Sequence, residues 1–245
     1  MQGGALYPIT GGFPQTDFRR ITALLLAIDT STRWTGLALF DGVEIIGELI
    51  WQTRNHHTVE LAPAIQELQA RCGLKTADLQ AIGVAQGPGS FTSLRIGMAI
   101  AKGMALALHI PVIGVPTLDI LAAAQPVRAL PMAAVLQAGR GRLAVGWYTA
   151  ESLSWKPQGE VQVMSAADLS HQISKPTLIC GELSASDRQV LGRKHKNAIL
   201  APPAQTLRRP SYLAELAWNR WKAGLVESIL ELAPVYLHTS EAIPG

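Results

Sequence analysis

The fold is decided by a stretch in the first half of the chain that reads Ala81-Ile82-Gly83-Val84-Ala85-Gln86-Gly87-Pro88-Gly89-Ser90 and continues into the apolar segment 91–108. Its apolar beginning predicts a buried strand over residues 81–85, and the glycines and proline after it predict a turn into a long helix. Glycine lets a backbone approach a ligand closely, and the free N–H groups at a helix start attract anions. The stretch therefore predicts a strand–turn–helix unit whose turn is either an anion site or only a tight connection.

Elements of the same α/β type surround this unit. Upstream, an apolar run over residues 24–28 and two alternating segments around the Asp41-Gly42 turn signal predict three antiparallel strands. The other predicted elements of this half are a helix over 58–72, a strand over 112–115 and a helix over 117–124. The resulting order is βββαβαβα.

A second set of strands begins beyond a linker near Gln125-Pro126. Its predicted elements are strands over 132–137, 143–149 and 177–180 and a helix over 212–223. The chain is thereby divided into a flexible leader (1–21), an N-terminal lobe (22–126) and a smaller C-terminal lobe (127–245), and a helix at about 210–224 is expected to pack back on the first lobe. A strand–turn–strand start in both lobes suggests an ancient duplication. Two unequal α/β lobes fit this layout better than one doubly wound sheet.

The composition is that of a folded protein without a membrane span. The chain has 245 residues, 48% of them hydrophobic, which is enough to bury one sizeable core or two small lobes that share a cleft. Its apolar runs end before the ~20 residues that a membrane-spanning helix requires. The two cysteines, Cys72 and Cys180, exclude a disulfide framework and a zinc site built from four cysteines. Free thiols are typical of a reducing cytoplasm, which is the expected location.

The formal charge of +3 indicates a mildly basic protein. Much of the excess lies in one cluster, which consists of Arg188, Arg193, Lys194, His195, Lys196, Arg208 and Arg209. Such a cluster either contacts nucleic-acid phosphates or forms a solvated face. No aromatic side chains are interleaved with it to favour the first alternative.

Two turns contain the candidate nucleotide-binding residues. The first, Asp29-Thr30-Ser31-Thr32, offers a carboxylate and three hydroxyls that could hold hydrated magnesium and phosphate oxygens, or form local turns without a ligand. The second is Gly87-Pro88-Gly89-Ser90, in which Ser90 is a reasonable N-cap. The sequence contains no Walker loop, dinucleotide fingerprint, nucleophile elbow or HExxH zinc motif. We therefore predict no catalytic residue and no metal ligand.

The helix predicted over 91–108 has two rows of side chains. The small row consists of Ser93, Gly97, Ala101 and Ala105, and the apolar row beside it consists of Ile96, Ile100, Met104 and Leu108. A ridge of small side chains lets another helix approach closely. The pattern is explained either by packing within the chain or by two neighbours, one of them in another chain.

Four segments together carry a family resemblance. They are Leu25-Leu26-Ala27-Ile28-Asp29-Thr30-Ser31-Thr32, Gly87-Pro88-Gly89-Ser90-Phe91-Thr92-Ser93-Leu94-Arg95-Ile96-Gly97, Ile110-Pro111-Val112-Ile113-Gly114-Val115 and Pro234-Val235-Tyr236-Leu237. In this order they resemble the TsaB (YeaZ) family. The resemblance covers residues 24–237 and implies a two-lobed, actin-like and sugar-kinase-like ATPase fold of duplicated RNase-H-like lobes, the second of them reduced.

The resemblance also implies a function in tRNA modification. In that system threonylcarbamoyl adenylate donates its acyl group to a tRNA adenosine next to the anticodon. A TsaD-like subunit carries the transfer site, TsaE is a small partner ATPase, and TsaB-like subunits support TsaD. We therefore expect a non-catalytic scaffold or activator subunit that reaches tRNA through the complex.

Several residues of this chain differ from those of the catalytic relatives, and these differences also indicate a non-catalytic subunit. In TsaD-like proteins a metal-binding His-x-x-x-His occupies positions that are Thr117 and Leu121 in this chain, and neither can replace a histidine ligand. An active ATPase of this fold opens its second lobe with an aspartate, where this chain has neutral Gln137. The usual glycine after Phe-Thr is Ser93, which remains small. Independent hydrolysis is not expected.

The resemblance leads to a specific interface. The expected contact residues lie on the helices predicted over 58–72 and 91–108 and are Leu61, Ile65, Leu68, Ser93, Arg95, Gly97, Ile100, Ala101 and Met104. A bulky residue at Gly97 or Ala101 is expected to abolish TsaD binding and leave the fold intact. No cofactor is required by the chain itself, although ATP or ADP with magnesium could bind at a shared interface. A homodimer is expected without the partner, and the alternative function is an independent small-molecule kinase or ATPase.

Overall fold

The computed structural model describes residues 23–53, 57–193 and 196–237. Within these ranges the chain forms two mixed sheets with helices packed around them. The leader predicted for residues 1–21 and two members of the basic cluster, Lys194 and His195, lie outside the described residues.

The first lobe contains a five-stranded sheet. Its strands are β1 (Leu25–Asp29), β2 (Trp34–Phe40), β3 (Ile45–Gln52), β4 (Ala81–Gly87) and β5 (Val112–Pro116). The first three form the predicted antiparallel meander, and β1, β4 and β5 are parallel, in the order β3-β2-β1-β4-β5. The helices of this half are α1 (His57–Arg71), α2 (Phe91–Leu108) and α3 (Thr117–Ala123). The predicted order βββαβαβα is confirmed.

The second lobe repeats this topology. Its strands are β6 (Met132–Gln137), β7 (Arg142–Glu151), β8 (Ser154–Ser165), β9 (Thr177–Gly181) and β10 (Ala198–Leu200), in the order β8-β7-β6-β9-β10. Its helices are α4 (Ala166–Gln172) and α5 (Ala185–Gly192). The same strand order and directions in both sheets give two RNase-H-like lobes and the predicted actin-like fold. The second lobe has as many strands as the first, so its reduction lies in its short helices.

Strand β1 is buried on both faces because its apolar side chains alternate between two layers. Leu26 and Ile28 belong to the core beneath α1 and α2, whereas Leu25 and Ala27 pack against the last helix, α6 (Pro210–Lys222). Full burial of a leucine or isoleucine contributes ~1.5–3 kcal/mol. Helix α6 contacts β1, β2 and β4, so it completes the first lobe although it follows the second in sequence.

Helix α2 is apolar on both its inner and its outer side. By length and composition it is the one helix within the described ranges that could cross a membrane, with a mean hydropathy of 1.3, and only 33% of it is buried. Met98, Ala101 and Ala105 on its inner side join the core of the first lobe. Core packing accounts for this inner side, and the apolar outer side is left exposed.

Candidate functional site

A cleft of about 1030 Å³ separates the two lobes. Its lining includes the turn after β1, the turn between β4 and α2, the end of β6, the segment after β9 and the segment before α6. Both candidate nucleotide-binding turns therefore lie at or beside the same cleft. The sequence predicted these turns separately, and the fold brings them together.

The turn after β1 uses most of its polar groups for internal hydrogen bonds. Asp29 is 2% exposed, and its Oδ1 accepts from the Ser31 backbone N–H at 2.8 Å. The Thr30 hydroxyl donates to the Ser93 carbonyl at 2.7 Å, and the Ser31 and Thr117 hydroxyls hydrogen-bond each other at 2.9 Å. Thr30 and Ser31 are buried, so these hydroxyls hold the turn against α2 and α3 instead of facing the cleft.

The turn between β4 and α2 packs tightly against the turn after β1. The Ser90 backbone N–H donates to the Ser31 carbonyl at 2.7 Å, and a Cβ at Gly89 would collide with that carbonyl. Gly87 has a φ of +113°, and the peptide bond before Pro88 is cis. Ser90 occupies the N-cap position of α2, but its side chain makes no capping hydrogen bond. Close packing of backbone against backbone accounts for glycine at position 89.

A buried arginine joins the lobes at the base of the cleft. The Arg208 side chain is 1% exposed; its Nε donates to Asp29 Oδ2 at 2.8 Å and its Nη1 donates to Glu182 Oε1 at 2.5 Å. Its Nη2 donates to the Thr32 hydroxyl at 2.9 Å, and this hydroxyl donates to the same Glu182 oxygen at 2.7 Å. Burial lowers the pKa of Arg208, but Asp29 and Glu182 outweigh that effect and raise it. We name Asp29, Thr32, Glu182 and Arg208 the cleft charge cluster.

This cluster corrects the interpretation of the basic residues. Arg208 is an internal residue between two carboxylates, and its neighbour Arg209 pairs with Glu48 on β3. The solvated or nucleic-acid-binding cluster predicted from the sequence is therefore wrong for Arg208, whereas Arg209 is exposed and paired with a carboxylate. Arg193 and Lys196 remain exposed. No local signal could have revealed the contact of Arg208 with Asp29, which lies 179 residues away in the chain.

Comparisons with known proteins identify the family. The family model described as "TsaD: tRNA N6-adenosine threonylcarbamoyltransferase" matches residues 47–203. The tRNA threonylcarbamoyladenosine biosynthesis protein TsaB of Bacillus subtilis is 33% identical over 219 residues, which are 85% of this chain and 94% of that protein. The chain belongs to the TsaB family.

Two further comparisons add another relative and a solved structure of the same fold. The TsaB protein of Haemophilus influenzae is 29% identical over 237 residues, which are 90% of this chain and 97% of that protein. A crystal structure of a Pseudomonas aeruginosa protein with similarity to the peptidase YeaZ has a TM-score of 0.74 at 24% identity, and covers 88% of this chain and 100% of that one. That structural likeness shows the shared fold.

The cleft charge cluster of this TsaB-family chain does not fit a hydrated magnesium ion. Magnesium is bound through carboxylate oxygens and keeps several waters. Here Asp29 and Glu182 already face a guanidinium, and a second positive centre beside it would be repelled. Within the described ranges, no group of three or more histidine, cysteine, aspartate or glutamate residues could hold a metal ion.

Gln137, which replaces the aspartate expected of an active ATPase, has a structural partner. Its Nε2 donates to Asp187 Oδ2 at 2.9 Å and to the Glu182 carbonyl at 3.1 Å. Burial raises the pKa of Asp187, but hydrogen bonds from Ser184 and Gln137 outweigh that effect and lower it. Asp187 also accepts from the Ser184 backbone N–H at the start of α5. The amide therefore stabilises a helix-capping carboxylate, which a second carboxylate at position 137 would repel.

The residues predicted for the partner interface divide into two groups. Six are buried inside the first lobe, namely Leu61, Ile65, Leu68, Ser93, Gly97 and Ala101. A Cβ at Gly97 would collide with the Thr30 side chain. The expectation that Gly97 or Ala101 can be enlarged without unfolding the chain is therefore wrong. The small row of α2 packs within the chain.

The other three predicted interface residues, Arg95, Ile100 and Met104, reach the surface of α2. Ile100 and Met104 lie on an apolar face, which we define as Ile96, Ala99, Ile100, Gly103 and Met104. Ala99 and Gly103 are exposed, and the three larger side chains are half-buried against the core of the first lobe. This apolar face explains the hydropathy of α2 that core packing leaves unexplained.

Proposed function

We propose that this chain is a non-catalytic subunit of the bacterial machinery that transfers threonylcarbamoyl to a tRNA adenosine next to the anticodon, and that it acts by binding a TsaD-like catalytic subunit in the cytoplasm. The observation that carries this proposal is the cleft charge cluster. Arg208 places a buried guanidinium between the carboxylates of both lobes. Asp29 is the carboxylate that an independent kinase or ATPase would use for magnesium, and here it is already paired with Arg208.

Displacing Arg208 would be costly. Removing one partner from a buried ion pair typically costs ~3–5 kcal/mol because the remaining charge is left unpaired. A magnesium ion at Asp29 would have to offset this cost as well as its own dehydration. The cleft thus favours an arrangement in which its carboxylates stabilise the lobes instead of reacting.

The apolar face of α2 supports the binding part of the proposal. Apolar residues that cover two turns of an exposed helix are typical of a surface that another protein covers. TsaE and tRNA join the proposal as members of the same complex, and ATP or ADP with magnesium is placed at an interface with a partner. The chain by itself requires no cofactor.

The experiment is co-purification with the TsaD-like subunit of the same organism. Ile100→Asp should reduce complex formation at least tenfold, because a carboxylate would be desolvated in an apolar interface. Leu153→Asp introduces the same charge at a side chain that is 93% exposed on the β7–β8 turn, so it is the control for added charge and should bind like the wild type. Circular dichroism spectra should be the same for all three proteins. Equal binding of both variants would reject the proposed face.

Activity assays separate this proposal from the independent-enzyme alternative. Modification of tRNA by the TsaD-like and TsaE-like subunits should depend on this chain and be lost with Ile100→Asp. The isolated chain should neither hydrolyse ATP nor bind Mg-ATP tightly in calorimetry. Tight binding that disappears in Asp29→Ala would instead establish a kinase or ATPase.

A further inference from the structure

An aromatic clamp holds one arginine at the edge of the apolar face of α2. The Arg95 guanidinium carbon lies 3.9 Å from the centroid of the Phe91 ring and 5.9 Å from that of the Tyr236 ring. Arg95 Nε donates to the Tyr236 hydroxyl at 2.9 Å, and the two rings pack against each other with centroids 4.7 Å apart. A guanidinium over an aromatic face gains ~0.5–1 kcal/mol at exposed sites. The side chain of Arg95 is therefore held in one place although it is exposed.

The C-terminal segment of the described chain fixes the clamp to the core. Leu232 is 1% exposed within the core of the first lobe. Three residues later, the Val235 backbone N–H donates to the Gln86 carbonyl at 2.7 Å. Tyr236 follows directly, so its ring is tied to the end of β4 and to the start of α2. The clamp is thus a rigid part of the surface.

The Arg95 guanidinium has N–H donors that are available to a partner. Its Nε is used by Tyr236, whereas its two terminal nitrogens make no hydrogen bond and no ion pair with any residue in the described ranges. An exposed arginine would ordinarily sample many rotamers, and binding a partner would cost the entropy of fixing it. Here the clamp has already fixed it. A planar fork of two N–H donors in a fixed position matches a carboxylate.

The surroundings of Arg95 indicate what kind of molecule brings that carboxylate. Ile96 and Ala99 of the apolar face begin directly beside it, and Phe91 is 52% exposed on its other side. A protein surface that binds nucleic acid needs several cationic side chains to contact the phosphates. An apolar helix face is typical of a surface that binds another protein. Arginine and tyrosine are also enriched among the interface residues that contribute most of the binding free energy.

We propose that Arg95, clamped by Phe91 and Tyr236, is the anchor for an aspartate or glutamate side chain of the protein that covers the apolar face. This inference rests on the proposed function, in which that protein is the TsaD-like subunit. The apolar face supplies contact area, and the anchor sets the register of the partner along α2. Tyr236 is a positioning residue that acts through Arg95.

The test measures binding of the full chain to the TsaD-like subunit by calorimetry at low and high salt. Arg95→Gln should weaken binding roughly tenfold at low salt and flatten the salt dependence, since a charge pair is lost. Arg95→Lys should recover only part of the affinity because a lysine has no planar fork. Tyr236→Phe keeps the ring and removes the hydroxyl, so it should weaken binding less than Arg95→Gln. Arg193→Gln, at an exposed arginine of the second lobe, is the control and should change nothing.

The outcomes distinguish this inference from the proposed function. If Ile100→Asp abolishes binding but Arg95→Gln binds as tightly as the wild type at both salt concentrations, the anchor is refuted and the interface stands. If the wild type itself does not bind the TsaD-like subunit, both proposals fail. A loss of tRNA affinity by the isolated Arg95→Gln chain, with unchanged binding to the protein partner, would also overturn the anchor, because its ligand would then be a phosphate.

Discussion

Replacing Arg208 with methionine removes the positive charge of the cleft charge cluster and keeps most of the side-chain volume. In the native protein the Arg208 side chain is 1% exposed, and those of its partners Asp29 and Glu182 are 3% and 16% exposed. The variant would leave these carboxylates buried without their counter-charge. Breaking a buried pair in this way costs ~3–5 kcal/mol, so the free energy of unfolding should fall by about 4 kcal/mol.

The chain contains a matched control at the next position. Arg209 pairs with Glu48, but its side chain is 53% exposed. Exposed pairs are worth ~0–1 kcal/mol, so Arg209→Met should lower the free energy of unfolding by less than 1 kcal/mol. The double variant Arg208→Met/Asp29→Asn should regain part of the lost free energy of unfolding. The side chain at position 29 is then a neutral amide, so the more buried of the two carboxylates is no longer left without a counter-charge.

The assay is urea unfolding followed by circular dichroism and by tryptophan fluorescence, whose agreement shows whether the two lobes unfold together. The expected order of stability is wild type, Arg209→Met, the double variant and then Arg208→Met. A loss for Arg208→Met no larger than that for Arg209→Met would refute the reasoning that Arg208 neutralises buried charge. A double variant less stable than Arg208→Met alone would refute it too.

Three further predictions concern other parts of the cleft and the lobe junction. Gly89→Ala should lower the melting temperature because the new Cβ would collide with the Ser31 carbonyl, at a cost of ~1–3 kcal/mol; an unchanged melting curve would contradict this. Gln137→Asp should destabilise the chain by ~1–3 kcal/mol and raise the pKa of Asp187, which caps α5, because two carboxylates would face each other. No ATPase activity should be gained. Carboxyl NMR titration measures the pKa of Asp187, and an unchanged pKa would exclude the predicted repulsion. The pKa of Asp119 is raised by burial and lowered in part by the hydrogen bond from Tyr148, so Tyr148→Phe should raise it further, as the same titration would detect. A carboxyl with a raised pKa binds its proton more tightly in the folded state, so the stability deficit of Tyr148→Phe should be largest above that pKa and shrink as the pH falls through it; a deficit independent of pH would count against this.

The first lobe could be predicted from the sequence because its signals are local and strong. Helix α2 begins and ends as predicted, since Pro88 and Gly89 precede it and Pro111 follows shortly after its end. The alternation around Asp41-Gly42 likewise predicted the meander of β1 to β3. In these elements local preference and tertiary packing favour the same structure.

Several elements of the second lobe were not predicted. Strand β8 contains Pro157 and Gly159, is largely exposed, and so lacks the alternation of a half-buried strand. Helices α4 and α5 are too short for a clear helical period. Their capping boxes were readable, because Ser165 and Ser184 are each followed three residues later by an aspartate. Strand β10 has three residues and is defined only by its pairing with β9.

The candidate site was predicted less completely than the fold. The two turns could be located from the sequence, but the orientation of their side chains could not. Thr30 and Ser31, which were interpreted either as ligand contacts or as local turn residues, are buried in internal hydrogen bonds. The small residues of α2 were interpreted as a ridge that another chain could also contact, and they face the sheet of their own lobe. The charge of Arg208 was visible, but a partner far away in the chain is determined only by the tertiary fold.

Helix α6 has a consequence for how the protein is made. It covers the second face of the first sheet, yet it follows the whole second lobe in the chain. During synthesis on the ribosome, the apolar side of β1 and β4 that α6 covers therefore stays exposed to water until almost the entire polypeptide has emerged. The strands and helices of the second lobe are contiguous between residues 132 and 200 and can form earlier, so nascent chains truncated before residue 210 should expose an apolar, chaperone-binding surface on the first lobe.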